Sequence, residues 1–121
     1  MMRNNNFFKI YIGALSLFLS SFTISLDNGE FTYTIIDDGI EITGCANEIC
    51  PQNMVIPSEI EGHTVVSIGD RAFEYKVINS VVFSDSITSI GSYAFGNSTV
   101  EEIKLPESLR VIKIGAFEST N

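Results

Sequence analysis

One phrase is written three times in this chain. It reads Ile68-Gly69-Asp70-Arg71-Ala72-Phe73, then Ile90-Gly91-Ser92-Tyr93-Ala94-Phe95, then Ile112-Lys113-Ile114-Gly115-Ala116-Phe117. The leading Ile recurs at a step of 22 both times, and Ala-Phe keeps its offset. Self-similarity at a fixed period of about 20–50 residues specifies a solenoid. The recurrence extends upstream of the phrase. Val81-Val82-Phe83-Ser84-Asp85-Ser86-Ile87 aligns with Ile103-Lys104-Leu105-Pro106-Glu107-Ser108-Leu109, again at 22. An earlier copy, Met54-Val55-Ile56-Pro57-Ser58-Glu59-Ile60, stands 27 before its successor. Its five extra residues fall in Glu61-Gly62-His63-Thr64-Val65, which reads as a turn. No single unit can bury its apolar side alone, whereas stacked units bury a continuous column.

Each unit is expected to hold an apolar-x-apolar strand, a Pro or Ser exit, a second short stretch ending in Ile, and a helical turn carrying Ala-Phe. Alternation points Met54, Ile56, Val81, Phe83, Ile103 and Leu105 inward. Ile68, Ile90 and Ile112 form a second inward row, and Phe73, Phe95 and Phe117 a third. Gly69 and Gly91 are expected to permit the turn out of the strand. Ala72, Ala94 and Ala116 are small because that turn packs closely on the strands.

The pattern apolar-x-x-Ile-Gly-x-x-Ala-Phe, followed about a dozen residues later by Ile-x-Leu-Pro, resembles the BspA-like (Treponema-type) leucine-rich repeats. The resemblance covers Met54 to Phe117. It implies a repeat solenoid of mainly short parallel strands with brief helical turns. It also implies a secreted or surface protein that binds or adheres, without naming the ligand. Lys76 and Ser98 stand where that family often has Cys, and Lys113 replaces the Gly of the first two copies.

The chain has 121 residues, enough for one domain. Residues 1–25 read as a secretory leader. Arg3 and Lys9 supply the positive region, Ile10 to Leu19 the apolar stretch, and Thr23 and Ser25 the small positions before a cut near Ser25–Leu26. An uncleaved anchor is disfavoured, because the stretch from Ile10 to Leu26 is short against the ~20 residues that span a bilayer. The mature chain is therefore expected to be secreted or at the cell surface, with no stable membrane insertion. All 15 acidic residues follow the leader, against 5 basic ones there, which gives residues 26–121 a net charge of −10. A field of that sign repels nucleic acid.

Residues 26–52 are expected to form an N-terminal cap. Phe31, Tyr33 and Ile35 share one face of a strand, Asp37-Asp38-Gly39 turns the chain, and Ile40 and Ile42 continue on the return. Such a hairpin keeps the first strand edge from facing water. Asp37 and Asp38 alone do not make a calcium loop. Cys45 and Cys50, the only cysteines, read first as a disulfide in an exported chain. The loop is short, so its contribution falls at the low end of ~2–4 kcal/mol. A zinc site lacks partners, since His63 is the sole histidine. No group marks a catalytic pair of Cys50 and His63, and no cofactor motif is present.

Residues 53–121 hold the repeats, the last of them incomplete. Their outward strand positions, Asn53 and Val55, Ser80 and Val82, Glu102 and Lys104, are the candidate binding face. Glu101 and Glu102 are expected on opposite faces, which denies them joint acid–base work. Asn97-Ser98-Thr99 is a glycosylation sequon of use only in a eukaryotic secretory pathway. The sequence stops at Asn121 before a fourth strand, so its last edge is expected to pair with a second copy or a partner, or the array is longer. Two functions follow. One is an exported scaffold that binds protein or glycan. The other is a structural or truncated fragment without its own ligand that self-associates. An enzyme is not expected.

Overall fold

The computed structural model describes residues 11–12 and 24–121. The expected leader, residues 1–25, lies outside the described residues apart from parts of two strands. These are β1 (Tyr11–Ile12) and β2 (Ile24–Asp27), which pair antiparallel. The cap hairpin follows as β3 (Phe31–Ile36) and β4 (Gly39–Cys45), joined through Asp37-Asp38. Gly39 is held at φ +147°, and a Cβ there would meet the Thr64 carbonyl, so glycine is required at that turn. Three coils come next, over residues 53–76, 77–98 and 99–121. Each contributes one strand to each of two stacks.

The first stack contains β5 (Asn53–Val55), β8 (Val77–Val82) and β10 (Thr99–Lys104), parallel and in the order β10-β8-β5. The second contains β7 (His63–Ile68), β9 (Ser89–Ile90) and β11 (Val111–Ile112), also parallel. The cap is not separate from it. Strand β4 pairs parallel with β7, so β2, β3 and β4 extend the second stack and close its first edge. The five-residue insertion forms a small hairpin, with β6 (Glu59–Ile60) antiparallel to the start of β7. Its turn residues Glu61 and Gly62 have φ of +51° and +82°.

The third corner corrects the expectation of a helical turn. Residues after Ile68, Ile90 and Ile112 form successive tight turns, not helix. The reason lies in where the N–H groups go. Those of Arg71, Phe73 and Tyr75 donate to the carbonyls of Ser92, Ala94 and Gly96 in the next coil, at 2.9, 2.7 and 3.0 Å. Tyr93, Phe95 and Asn97 repeat the pattern onto Ile114, Ala116 and Glu118. Only the intervening N–H groups, such as those of Ala72 and Glu74, close local turns on Gly69 and Arg71. A helix would consume every N–H internally and leave nothing for the neighbour.

The left-handed residues that make this possible recur at the same step: Arg71, Tyr93 and Gly115, then Tyr75, Asn97 and Ser119, all between +54° and +65°. Gly69 and Gly91 are not among them. They are small because coils approach closely there: a Cβ on Gly91 would lie 2.5 Å from the Asp70 nitrogen.

The core is one column. Met54, Ile56, Val81, Phe83, Ile68, Ile90, Phe73 and Phe95 are all buried. Phe73 and Phe95 lie 5.2 Å apart, and Phe95 and Phe117 5.4 Å apart with nearly parallel rings. Phe31 of the cap meets Phe73 edge-on at 6.3 Å, which extends the aromatic row into the hairpin. Two inward positions of the last coil are not covered. Leu105 is 42% exposed and Ile112 49%, because among the described residues no coil lies on their far side. Ile35 also keeps its expected face without being buried. It pairs with buried Ile40, on the face of Phe31 and Tyr33, and is 53% exposed because it stands at the hairpin tip.

Tyr33 is buried to 1%, and its hydroxyl meets no protein hydrogen-bond partner among the described residues. Tyr33→Phe is therefore expected to raise stability by about 1 kcal/mol in urea unfolding. Burial, and then Glu61 and Asp27, hold the phenol pKa above its ordinary value. The protonated phenol is the favoured folded form, so this contribution is full below about pH 10 and declines as pH rises through the higher folded value. Stability of the Phe variant should fall less steeply than that of the parent chain on that alkaline side.

Candidate functional site

The six outward positions assemble as two rows across three strands. Asn53, Ser80 and Glu102 are register partners, as are Val55, Val82 and Lys104. Ser80 is half-buried and the other five are exposed. The Ser80 hydroxyl donates to the Asn53 side-chain oxygen at 3.1 Å, which ties the polar row together. The second row offers exposed Val55 and Val82 beside the Lys104 cation, so the column carries apolar contact area next to charge of both signs.

The polar row is wider than alternation predicts. The Gln52 carbonyl accepts from both Asn79 and Ser80 N–H, at 2.7 and 3.1 Å, the hydrogen-bond pattern of a β-bulge. Ile78 and Val81, three residues apart, both point inward, and β10 follows β8 in register. Glu101 and Glu102 are consequently both exposed, which corrects their expected placement on opposite faces. The recurring three-residue spacing of Ile78 and Val81, and of Val100 and Ile103, is the sequence signal that reveals this bulge.

At its Lys104 end the column opens into a groove of about 690 Å³, lined by Val82, Phe83, Asp85, Lys104, Leu105 and Glu107 among others. Asp85, Leu105 and Glu107 were not among the candidate residues, because they lie on the exit from the strands. A second groove of about 410 Å³ lies beside the cap, lined by Thr32, Thr43, Glu48, Arg71, Glu74 and Lys76 among others. Its polar groups bond to one another. Arg71 donates twice to Glu74 at 2.9 Å, Lys76 donates to the Glu48 carbonyl at 3.3 Å, and Thr43 donates to Thr32 at 3.0 Å. The bond to Glu74 also holds the Arg71 pKa above its ordinary value. The Arg71 guanidinium lies 5.0 Å over the Tyr93 ring, whose other neighbour is Gly115.

Cys45 and Cys50 are joined in a disulfide with Cα atoms 5.2 Å apart, where the hairpin meets the first coil. Ser98, in a position where the resembled family often has Cys, is buried and donates its hydroxyl to the Phe95 carbonyl. Asn97 of the sequon is exposed. Among the described residues no three His, Cys, Asp or Glu side chains gather as metal ligands. Among the same residues no helix is long and apolar enough to cross a membrane.

Stacked coils of short parallel strands, with an Ile row, a Phe row and turns bonded coil to coil, define a β-solenoid of the leucine-rich-repeat kind. The chain belongs to the family described as "BspA type Leucine rich repeat region (6 copies)", which matches residues 45–121. Two solved structures share the fold. A leucine-rich repeat protein of Treponema pallidum is 29% identical with a TM-score of 0.62, over 74% of this chain and 42% of that one. A leucine-rich repeat protein of Bacteroides capillosus is 22% identical with a TM-score of 0.57, over 80% of this chain and 92% of that one. No curated protein matches the chain. This chain thus spans less than half of the Treponema structure. The family and fold are those of repeat scaffolds, which suit a binding or adhesion role.

Proposed function

We propose that this protein is an exported scaffold that binds a protein or glycan at a cell surface through the outward column of β5, β8 and β10. The observation that carries this reading is the register. It sets Asn53, Ser80 and Glu102 in one row and Val55, Val82 and Lys104 in the next, beside an open groove. Such a column combines a hydrogen-bonding row with apolar and charged anchors, the mixture that macromolecular interfaces use. The secreted or surface location that the family resemblance implies supports export, as does the leader read from residues 1–25.

The full chain is expected to bind saturably to immobilised cell-surface glycoprotein or glycan preparations, read by surface plasmon resonance. Glu102→Ala and Lys104→Ala should each weaken that binding by about 1 kcal/mol or more. Asp38→Ala, at the hairpin tip, should leave it unchanged. Absence of saturable binding, or indifference to both column variants, would overturn the reading.

A second reading is self-association through the last coil, where Val111, Ile112 and Ile114 are exposed. Another coil of the same pattern, from a second copy or a continuing array, would cover them. Sedimentation over a concentration series distinguishes the two: a binder stays monomeric, and a self-associating chain does not.

A further inference from the structure

We propose that the free edge of β5 receives an extended, lysine-rich peptide as an added strand. This site is the edge of the first stack, distinct from its outward face, and it does not rest on the reading above. Strand β5 is the last in its sheet and pairs only with β8 among the described residues. Residues of a parallel ladder face their two neighbours alternately. The Gln52 carbonyl and the Ile56 N–H bond to β8, so Gln52, Met54 and Ile56 face that strand. The N–H and C=O groups of Asn53 and Val55 are thereby turned the other way. No strand among the described residues meets them.

The second stack does not share this feature. Its first coil strand, β7, is covered by β4, and β4 in turn by β3 and β2. The cap hairpin closes one sheet and leaves the other open. Exposed edges are ordinarily blunted by Pro, Lys or a bulge on the edge itself. Residues 52–56 contain no Pro and no Lys. Pro51 and Pro57 bracket the segment and set the length of edge on offer. Asn53 is exposed and Val55 is 60% exposed, so among the described residues this segment stands open to an incoming backbone.

Charge selects the occupant. From Ala46 to Gly62 the chain has no Lys or Arg, while Glu48, Glu59 and Glu61 are all exposed. The whole chain carries a net charge of −8. That field repels a second copy and attracts a cationic strand. Strand addition takes its affinity from main-chain hydrogen bonds and its selectivity from the flanking side chains.

The test uses the full chain and a fluorescently labelled Lys-Val-Lys-Val-Lys-Val peptide, followed by anisotropy. Saturable binding that weakens with added salt is expected. A peptide N-methylated along its whole backbone, which offers no main-chain N–H donors, should bind at least about tenfold more weakly. Val55→Pro removes an outward N–H at an edge position that tolerates proline. It should weaken binding about tenfold with the thermal midpoint unchanged. Four results would overturn the proposal: no binding up to about 1 mM peptide, a range generous for so few main-chain bonds; equal binding of the N-methylated peptide; equal binding of Glu-Val-Glu-Val-Glu-Val; or a dimer of the chain that Val55→Pro abolishes, which would assign the edge to a second copy. Should Val55→Pro fail to fold, the peptide comparison on the unaltered chain decides the matter.

Discussion

Cutting Phe95 back to alanine is expected to lower the unfolding free energy by about 3–5 kcal/mol. Phe95 is fully buried and stands at the centre of the aromatic row. It touches Phe73 at 5.2 Å, Phe117 at 5.4 Å and the edge of Phe83 at 6.1 Å. Removing it opens a cavity between two coils whose separation is fixed by hydrogen bonds on both sides, so the neighbours cannot collapse inward. A small domain has about 5–15 kcal/mol in total, so this one change should unfold a readable fraction of the chain. Phe117→Ala is the internal comparison. Phe117 is only half-buried, and its loss should be clearly smaller. Urea unfolding followed by circular dichroism measures both. A Phe95 loss below about 1 kcal/mol would contradict the stacked core.

The second large effect belongs to a glycine. Gly91→Ala is expected to cost about 3 kcal/mol, at the upper end for overpacking. Its new Cβ would lie 2.5 Å from the Asp70 nitrogen and 2.6 Å from the Gly69 carbonyl carbon. Those are backbone atoms of the preceding coil, and they cannot swing away. Relief requires the coils to part, which stretches the 2.8 Å bond from the Ser92 N–H to the Asp70 carboxylate. At Gly69 the same addition meets the Ile42 carbonyl oxygen at 3.1 Å and the flexible Glu41 side chain at 3.2 Å. Gly69→Ala should therefore cost about 1 kcal/mol or less. The ordering of the two, read from unfolding midpoints, is the test. Equal losses would mean that conformational freedom, rather than space, is what these glycines supply.

The scaffold was legible because its signal is redundant. Ile68, Ile90 and Ile112, with Phe73, Phe95 and Phe117, repeat at one step, and only stacking answers that step with a common environment. The candidate column was legible for the same reason, since alternation about Met54, Val81 and Ile103 fixes what faces out. The failures have local causes. Glu101 shares the exposed side with Glu102, against simple alternation, because a bulge inserts one residue there. A helical turn is the expectation at Ala-Phe, and the repeated phrase carries no information about an N–H bonding to the next coil. Gly115 was the available clue to that corner. It occupies the left-handed position held by Arg71 and Tyr93 in the earlier copies, and only its displacement within the phrase betrays the conformation. Leu105 and Ile112 obey the pattern but need a neighbour on each side to be covered, and a pattern cannot count neighbours.

The small arm built by β6 and the start of β7 has a consequence for how such chains change length. Five surplus residues are accommodated there while Ile68 still meets Ile90 and Met54 still meets Val81. That corner acts as an overflow: extra residues fold back on themselves outside the stack, and the rungs on either side keep step. A loop grafted at Glu61-Gly62 would inherit this tolerance, whereas one of the same size at the Ala-Phe corner would have to break bonds between rungs to be admitted.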